Sequence, residues 1–301
     1  LYLCLENTMR ILLCGATGFI GRHLHHALAQ AGHTVIPAST QRQPGSLAVD
    51  FVRDTQPAVW LPRLQGVDAV VNAVGVLRDQ AVRPMWAIHA ETPHALFDAC
   101  AQAGIRRVVH VSALGLEGNP TQYARSKLRA EAQLMALTAG GALEGVIVRP
   151  SVVFGRGGAS SELFMMLARS PLWLLPAPVV RTRIQPVAVT DLAALVTALV
   201  SMPAPPPATI SAVGPQALTI AAFLALLRQR MGHGRAWQAT LPDWLTSLSA
   251  RLGDLLPISP WCSETLALLS HDNVAPVTAV EQALGRSPMS PDQFPLSDTP
   301  S

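Results

Sequence analysis

Tyr123 and Lys127 stand four residues apart in a chain that hardly uses either residue type. It holds 2 tyrosines, the other being Tyr2, and Lys127 is the single lysine among 22 Lys+Arg residues. Arginine serves wherever a generic positive charge is needed, so the one primary amine has a more particular use. A phenol with an ordinary pKa near ~10 is a poor acid or base at neutral pH. A neighbouring ammonium favours the phenolate and lowers that value. Lysine is also a compact charge with three donors, able to face a phenol and bind sugar hydroxyls at once. The pair is therefore the expected acid/base centre.

Two residues four apart share a face when they lie on a helix. Asn119-Pro120 reads as a helix start, and the residues through Leu137 are good helix formers with apolar positions at helical spacing. Near the N-terminus, the apolar run Arg10 to Cys14 leads through Gly15-Ala16-Thr17-Gly18-Phe19-Ile20-Gly21 into a periodic segment from Arg22 to Ala31, closed by Gly32. A strand feeding a helix through glycines lets backbone approach a pyrophosphate, whose charge the helix N-terminus stabilises. Gly15, Thr17, Gly18, Phe19, Ile20, Gly21 and Arg22 are expected around a dinucleotide. The second strand, His33 to Ala38, carries the cofactor choice. An acidic residue at its end would bind the ribose hydroxyls of NAD. Pro37 to Arg42 contains none, and Ser39 and Arg42, with Arg22, could hold a 2'-phosphate. NADP(H) is thus expected ahead of NAD(H).

Further strands are expected at Leu47 to Phe51, at Val67 to Val74 with the turn Asn72-Ala73-Val74-Gly75, and at Arg107 to Ser112, with a helix from Pro93 to Ala103 between the last two. Alternating strands and helices imply right-handed crossovers and a Rossmann-type doubly wound parallel α/β sheet, with ligands at the carboxyl ends of its strands. Residues 9–155 form the expected nucleotide-binding domain and 156–286 a small substrate or cap subdomain with interleaved sheet elements. Residues 1–8 are expected outside the fold, and 287–301 as a flexible tail.

At 301 residues, with 50% hydrophobic and 14% charged residues, the chain can bury a substantial core. A net charge of +3 with dispersed arginines argues against a nucleic-acid partner. Cys4, Cys14, Cys100 and Cys262 show no paired spacing, which fits a reducing compartment and a cytoplasmic location. His23, His25 and His26 crowd one helix without acidic companions, so they are read as surface or packing residues and no metal site is expected.

Taken together, GATGFIG, the NAVG turn, HVSALG and YARSK, in this order, resemble the short-chain dehydrogenase/reductase superfamily, in its extended and atypical branch. RPSVVFG (Arg149 to Gly155) resembles that branch's segment beside the nicotinamide, and RIQPVAVTDLA strengthens the match. The whole, from about Met9 to Phe294, is most similar to bacterial relatives of the nucleotide-binding accessory subunit of respiratory complex I. The resemblance implies Gly15, Gly18 and Gly21 at the pyrophosphate and Asp50 and Phe51 by the adenine. It places Ala73, Val74 and Gly75 by the ribose, and Pro150, Ser151, Val152 and Val153 near the nicotinamide. It makes Tyr123 the acid/base, with Lys127 its partner and a ribose ligand. The superfamily's catalytic serine or threonine falls on Ala113, with Ser112 one place early. Ser112 is kept as a third catalytic candidate, although adjacent residues on a strand face opposite ways.

The segment Ser160 to Val180 is apolar and aromatic, with Pro171, Pro176 and Pro178 breaking any long helix. It is expected to line a substrate pocket or to form a packed cap, with a small apolar, quinone- or isoprenoid-like substrate, and peripheral contact at the inner face of a membrane or association with a respiratory complex, as further expectations. Trp237, Trp244 and Trp261 are expected to pack. Two functions follow: an NADP(H)-dependent oxidoreductase using Tyr123, or an inert NADPH-binding accessory or assembly protein. A nucleotide-sugar epimerase or dehydratase is third.

Overall fold

The apolar strand runs do not alternate with polar residues, as strands buried on both faces require. In the computed structural model, which describes residues 8–40, 44–254 and 263–296, they form one parallel sheet. Its strands are β1 (Arg10–Cys14), β2 (Thr34–Ser39), β3 (Leu47–Ala48), β4 (Ala69–Asn72), β5 (Arg107–Val111), β6 (Glu144–Pro150) and β7 (Thr209–Ala212). Their spatial order is β7-β6-β5-β4-β1-β2-β3. The order runs outward in both directions from the β1/β4 pair, which makes the crevice above it the topological switch point. The expected Rossmann-type sheet is present, with β3 shorter than the expected Leu47 to Phe51.

Helices cover both faces. Phe19–Gln30 and Val189–Ser201 pack on one side with Leu24, Leu28, Leu192 and Val196 in a core shared with Ile11, Leu13 and Val71. Thr92–Gln102 and Gln122–Ala139 cover the other, where Leu96, Phe97, Ala130 and Leu134 meet Leu12, Val70 and Val108. The Val189–Ser201 helix and β7 complete the sheet although they follow the start of the cap in sequence.

The cap has a core of its own. Helices Ala159–Arg169 and Ile220–Arg230 and the parallel pair Leu172–Pro176 with Trp237–Leu241 bring together Phe154, Phe164, Trp173, Leu175, Phe223 and Phe294. The apolar residues expected to line a substrate pocket are therefore largely spent on packing the cap against itself. Conversely Trp237 and Trp244, expected to pack, are 82% and 69% exposed, and Trp261 lies outside the described residues.

The segment expected to be a loose tail from Ser287 is ordered by packing as far as Leu296, while 297–301, like 1–7, lie outside the described residues. Phe294 is fully buried, stacked on Phe154 at 5.2 Å between ring centroids. Asp191, itself buried in the first turn of its helix, accepts from Met289 N at 2.6 Å and from Arg286 Nη2 at 2.5 Å. Truncating a buried aromatic leaves a cavity as well as losing its transfer energy, so Phe294→Ala is expected to cost about 3–5 kcal/mol. Urea unfolding of the variant checks this; an unchanged midpoint would show that the segment adds nothing to the core.

Candidate active site

The glycine turn is built by close approach. Gly15 has φ +81 and a Cβ there would lie 3.0 Å from the Ala73 carbonyl carbon, so the exits of β1 and β4 touch through bare backbone. A Cβ on Gly21 would sit 2.0 Å from the Gly15 carbonyl oxygen, which only glycine permits. Gly18 is the N-cap of the Phe19–Gln30 helix, with no side-chain cap and no acidic residue in the first turn. The opening N–H groups of that helix are left for an anion, as a pyrophosphate needs. Arg22 arches back to donate to the Thr17 carbonyl at 2.9 Å. The residues present thus fit a dinucleotide at this crevice: the cradle is glycine where side chains would fill it, and the helix that follows it opens without a side-chain cap.

Facing the cradle, Thr121 caps the Gln122–Ala139 helix by accepting from Ala124 N at 3.1 Å. That cap sets the helix so that Lys127 reaches the strand ends, with Tyr123 one turn before it on the same helix. Lys127 is 3% exposed, and its Nζ donates to the Val111 carbonyl at 3.2 Å and the Val74 carbonyl at 3.3 Å. The ammonium therefore sits between the ends of β4 and β5, at the crevice. Burial lowers its pKa to about 8, opposed by the charge of Glu131. Glu131 is in turn held by the Arg149 guanidinium at 2.5 and 3.1 Å.

Tyr123 departs from expectation. Its phenol is pushed up to about 12 by burial, not lowered by Lys127. The ammonium faces two backbone carbonyls, and desolvation outweighs its pull on the ring. Beside the phenol stands His89, its ring edge-on to Tyr123 at 5.3 Å. Glu264 accepts from Tyr123 N at 2.8 Å and so anchors the Ser263–Leu268 helix over the start of the Gln122–Ala139 helix. Sequence reasoning missed both: His89 lies in an unremarked buried stretch, and Glu264 reaches the site from far along the chain.

Ser112 is buried, with an Oγ that has no hydrogen-bond partner among the described residues. Ala113, half-buried, follows it past the end of β5. Ala73, Val74 and Gly75 lie at the β4 exit: Ala73 N donates to Cys14 O, Val74 O receives Lys127, and Gly75 borders the ammonium. Pro150 accepts from Leu114 N at 2.9 Å, which brings the Pro150 to Val153 segment alongside the β5 exit. Within it, Ser151 Oγ is committed to Asn273 O and Gln185 N, and ties β6 to the cap. Asp50 Oδ1 accepts from Val52 and Arg53 N, and the Phe51 ring is buried against Trp60, so both are first of all structural. Ser39 is buried at the end of β2, and Arg42 lies outside the described residues.

The profile of the NAD dependent epimerase/dehydratase family matches residues 11–173. The chain belongs to that family. Ceramide reductase of Caulobacter vibrioides is 29% identical over 201 residues, 64% of this chain and 61% of that protein. The chain thus spans less than two thirds of that relative. The mitochondrial NADH dehydrogenase [ubiquinone] 1 alpha subcomplex subunit 9 of Rattus norvegicus is 24% identical over 83% of this chain and 68% of its own. The resemblance to the complex I accessory subunit is therefore one relationship among several.

Solved structures share the fold nearly end to end. MoeE5 in complex with UDP-glucuronic acid and NAD superposes with a TM-score of 0.70 at 18% identity, covering 93% of this chain and 94% of its own. UDP-glucuronic acid 4-epimerase from Bacillus cereus, also with UDP-glucuronic acid and NAD, gives 0.69 at 16% identity over 94% and 95%. For this epimerase/dehydratase family member, the assignment as an NAD(P)-dependent oxidoreductase holds at the level of the family.

Three expectations are corrected. The preference for NADP(H) does not stand: the supposed phosphate ligand Ser39 is buried, and both these structures carry NAD. The apolar quinone- or isoprenoid-like substrate gives way, because its supposed lining packs the cap and the similar structures hold a nucleotide sugar. Peripheral membrane contact and respiratory-complex association, drawn from the same segment and resemblance, lose their footing with it. No helix among the described residues is long and apolar enough to cross a membrane.

The buried amine has a measurable cost. The folded value of Lys127, about 8, lies below the ordinary 10.5, so the unfolded chain binds more protons between them. Stability from this group therefore rises with pH across that window, and the penalty is fully present below it. Lys127→Met is expected to raise stability at pH 7 by on the order of 3 kcal/mol, and to lose that advantage by pH 10.5. Denaturant titrations at the two pH values check it; a variant no more stable at pH 7 would mean that the ammonium is well solvated.

Proposed function

We propose that the protein is an NAD(H)-dependent oxidoreductase of the epimerase/dehydratase type acting on the sugar of a nucleotide-activated hexose. The observation that carries this reading is the placement of Lys127 Nζ between the Val74 and Val111 carbonyls, with Tyr123 one turn away at the switch-point crevice. The presence of UDP-glucuronic acid and NAD in structures of the same fold supports the substrate class.

Gly15, Gly18 and Gly21, with the N-terminus of the Phe19–Gln30 helix, would hold the pyrophosphate, and Ala73 to Gly75 and Lys127 the nearby ribose. When bound, the dinucleotide supplies a hydride acceptor and donor at its nicotinamide. Tyr123 Oη takes the proton of a sugar hydroxyl as that carbon is oxidised and returns it on reduction. A phenol raised to about 12 by burial is a weak base, so Tyr123 accepts that proton more readily as the pH rises. Ser112 Oγ, buried and unspent, is a further donor near the end of β5, while Ala113 cannot donate.

A second reading has one observation in its favour. With alanine at 113, the chain could bind the dinucleotide without turning it over.

Titration with NADH and NADPH, followed by assay against UDP-glucose, UDP-glucuronic acid and dTDP-hexoses, separates the readings. NADH is expected to bind the more tightly, and Tyr123→Phe is expected to lower kcat by about 10²–10⁴-fold with dinucleotide affinity retained. Tight binding with no turnover of any nucleotide sugar would decide for the second reading, and tighter NADPH would refute the cofactor.

A further inference from the structure

We propose that His89 is a positioning residue for the acid/base pair: its two ring nitrogens tie the β4 exit turn to the catalytic helix, and its ring fixes the plane of the phenol. This rests on the roles given to Tyr123 and Lys127 above. His89 lies in a single π-helical turn, Ala87–Glu91, leading into the Thr92–Gln102 helix. Such turns re-aim side chains relative to a regular helix and recur at functional sites.

The hydrogen bonds settle the tautomer. Val76 N–H can only donate, and it lies 2.8 Å from Nε2. Nε2 is thus the acceptor, and the ring proton sits on Nδ1, 3.1 Å from Ser126 Oγ. The Ser126 hydroxyl in turn donates to the Tyr123 carbonyl at 2.9 Å. One directed chain therefore runs from the β4 exit, through imidazole and hydroxyl, to the backbone of the catalytic tyrosine. The same ring meets the Tyr123 ring edge-on, at 85°.

Gly75 closes the arrangement. A Cβ there would lie 3.4 Å from Lys127 Nζ and 3.5 Å from His89 Nε2, so ammonium and imidazole converge on one backbone position. Val74, whose carbonyl receives Lys127 Nζ, is two residues from the Val76 N–H that His89 holds. Slack at His89 is transmitted to the ammonium as well as to the phenol. Burial, with the nearby Lys127 and His110, holds the imidazole down to about 2, so it stays neutral and acts as a strut and not as a proton carrier.

The chain's economy makes the test direct, because Lys127 is its only lysine and, after Tyr2→Phe, Tyr123 its only tyrosine. Phenolate absorbance then titrates Tyr123 alone, and ¹³C-lysine labelling titrates Lys127 alone. In folded His89→Phe, the Tyr123 midpoint is expected to fall from about 12 and the Lys127 midpoint to climb from about 8, each toward its ordinary value. His89→Gln, which keeps an acceptor and a donor, is expected to restore both in large part. The kcat for nucleotide-sugar turnover should fall roughly 10–100-fold in His89→Phe, with KM for NAD within about twofold. Displaced titrations in a parent with no turnover would sustain the role of His89 and remove the proposed activity. Titrations unmoved in folded His89→Phe overturn the inference. So does a ¹⁵N spectrum of the parent placing the His89 proton on Nε2, a measurement that needs no variant to fold.

Discussion

A primary amine held out of water between two strand ends is the constraint on which the site depends. Desolvation disfavours its charge, and the carbonyls of Val74 and Val111, with the charge of Glu131, offset it. Those carbonyls are available because β4 and β5 end side by side in register, and because the helix after β5 begins at the Thr121 cap. The sheet order, the cap and the turn at Gly75 all converge on one ammonium. Sites that hold a group poised to change its charge commonly give up stability for it.

The same crevice sets what the glycine turn must be. Gly15 and Gly21 are fixed by backbone contacts within the turn and with the β4 exit, whatever ligand arrives. Gly18 is different, since a Cβ there meets only the Gly15 carbonyl, at 3.2 Å. Its place is the open N-cap, where helix N–H groups remain unspent. Packing thus accounts for two glycines, while the third leaves the helix N-terminus uncovered. The cap, by contrast, carries its own core, and its apolar composition says more about holding that core together than about a ligand.

Much of the nucleotide-binding half was legible in the sequence. Strand runs, glycine punctuation and the Tyr123/Lys127 spacing are local signals, and β1, β2, β4, β5 and the catalytic helix fall within a residue or two of where they were expected. What depended on distant contacts was not legible. An apolar stretch such as Phe164 to Leu175 looks the same whether it lines a pocket or packs against Phe223 and Phe294. The electrostatics of Tyr123 likewise turned on desolvation, which spacing along a helix does not report. Glu264 at the Tyr123 backbone and His89 at its ring arrive through tertiary structure alone.

The stacking of Phe154 on Phe294 has a consequence for how the chain is made. Phe154 leaves the ribosome about 140 residues ahead of its partner Phe294. Until then Phe164, Trp173 and Phe223 face an incomplete interior, while the β1 to β6 portion of the sheet can already assemble. Such a nascent chain spends its elongation with a finished nucleotide-binding half and a sticky, unfinished second half, the condition under which chaperone occupancy is most useful.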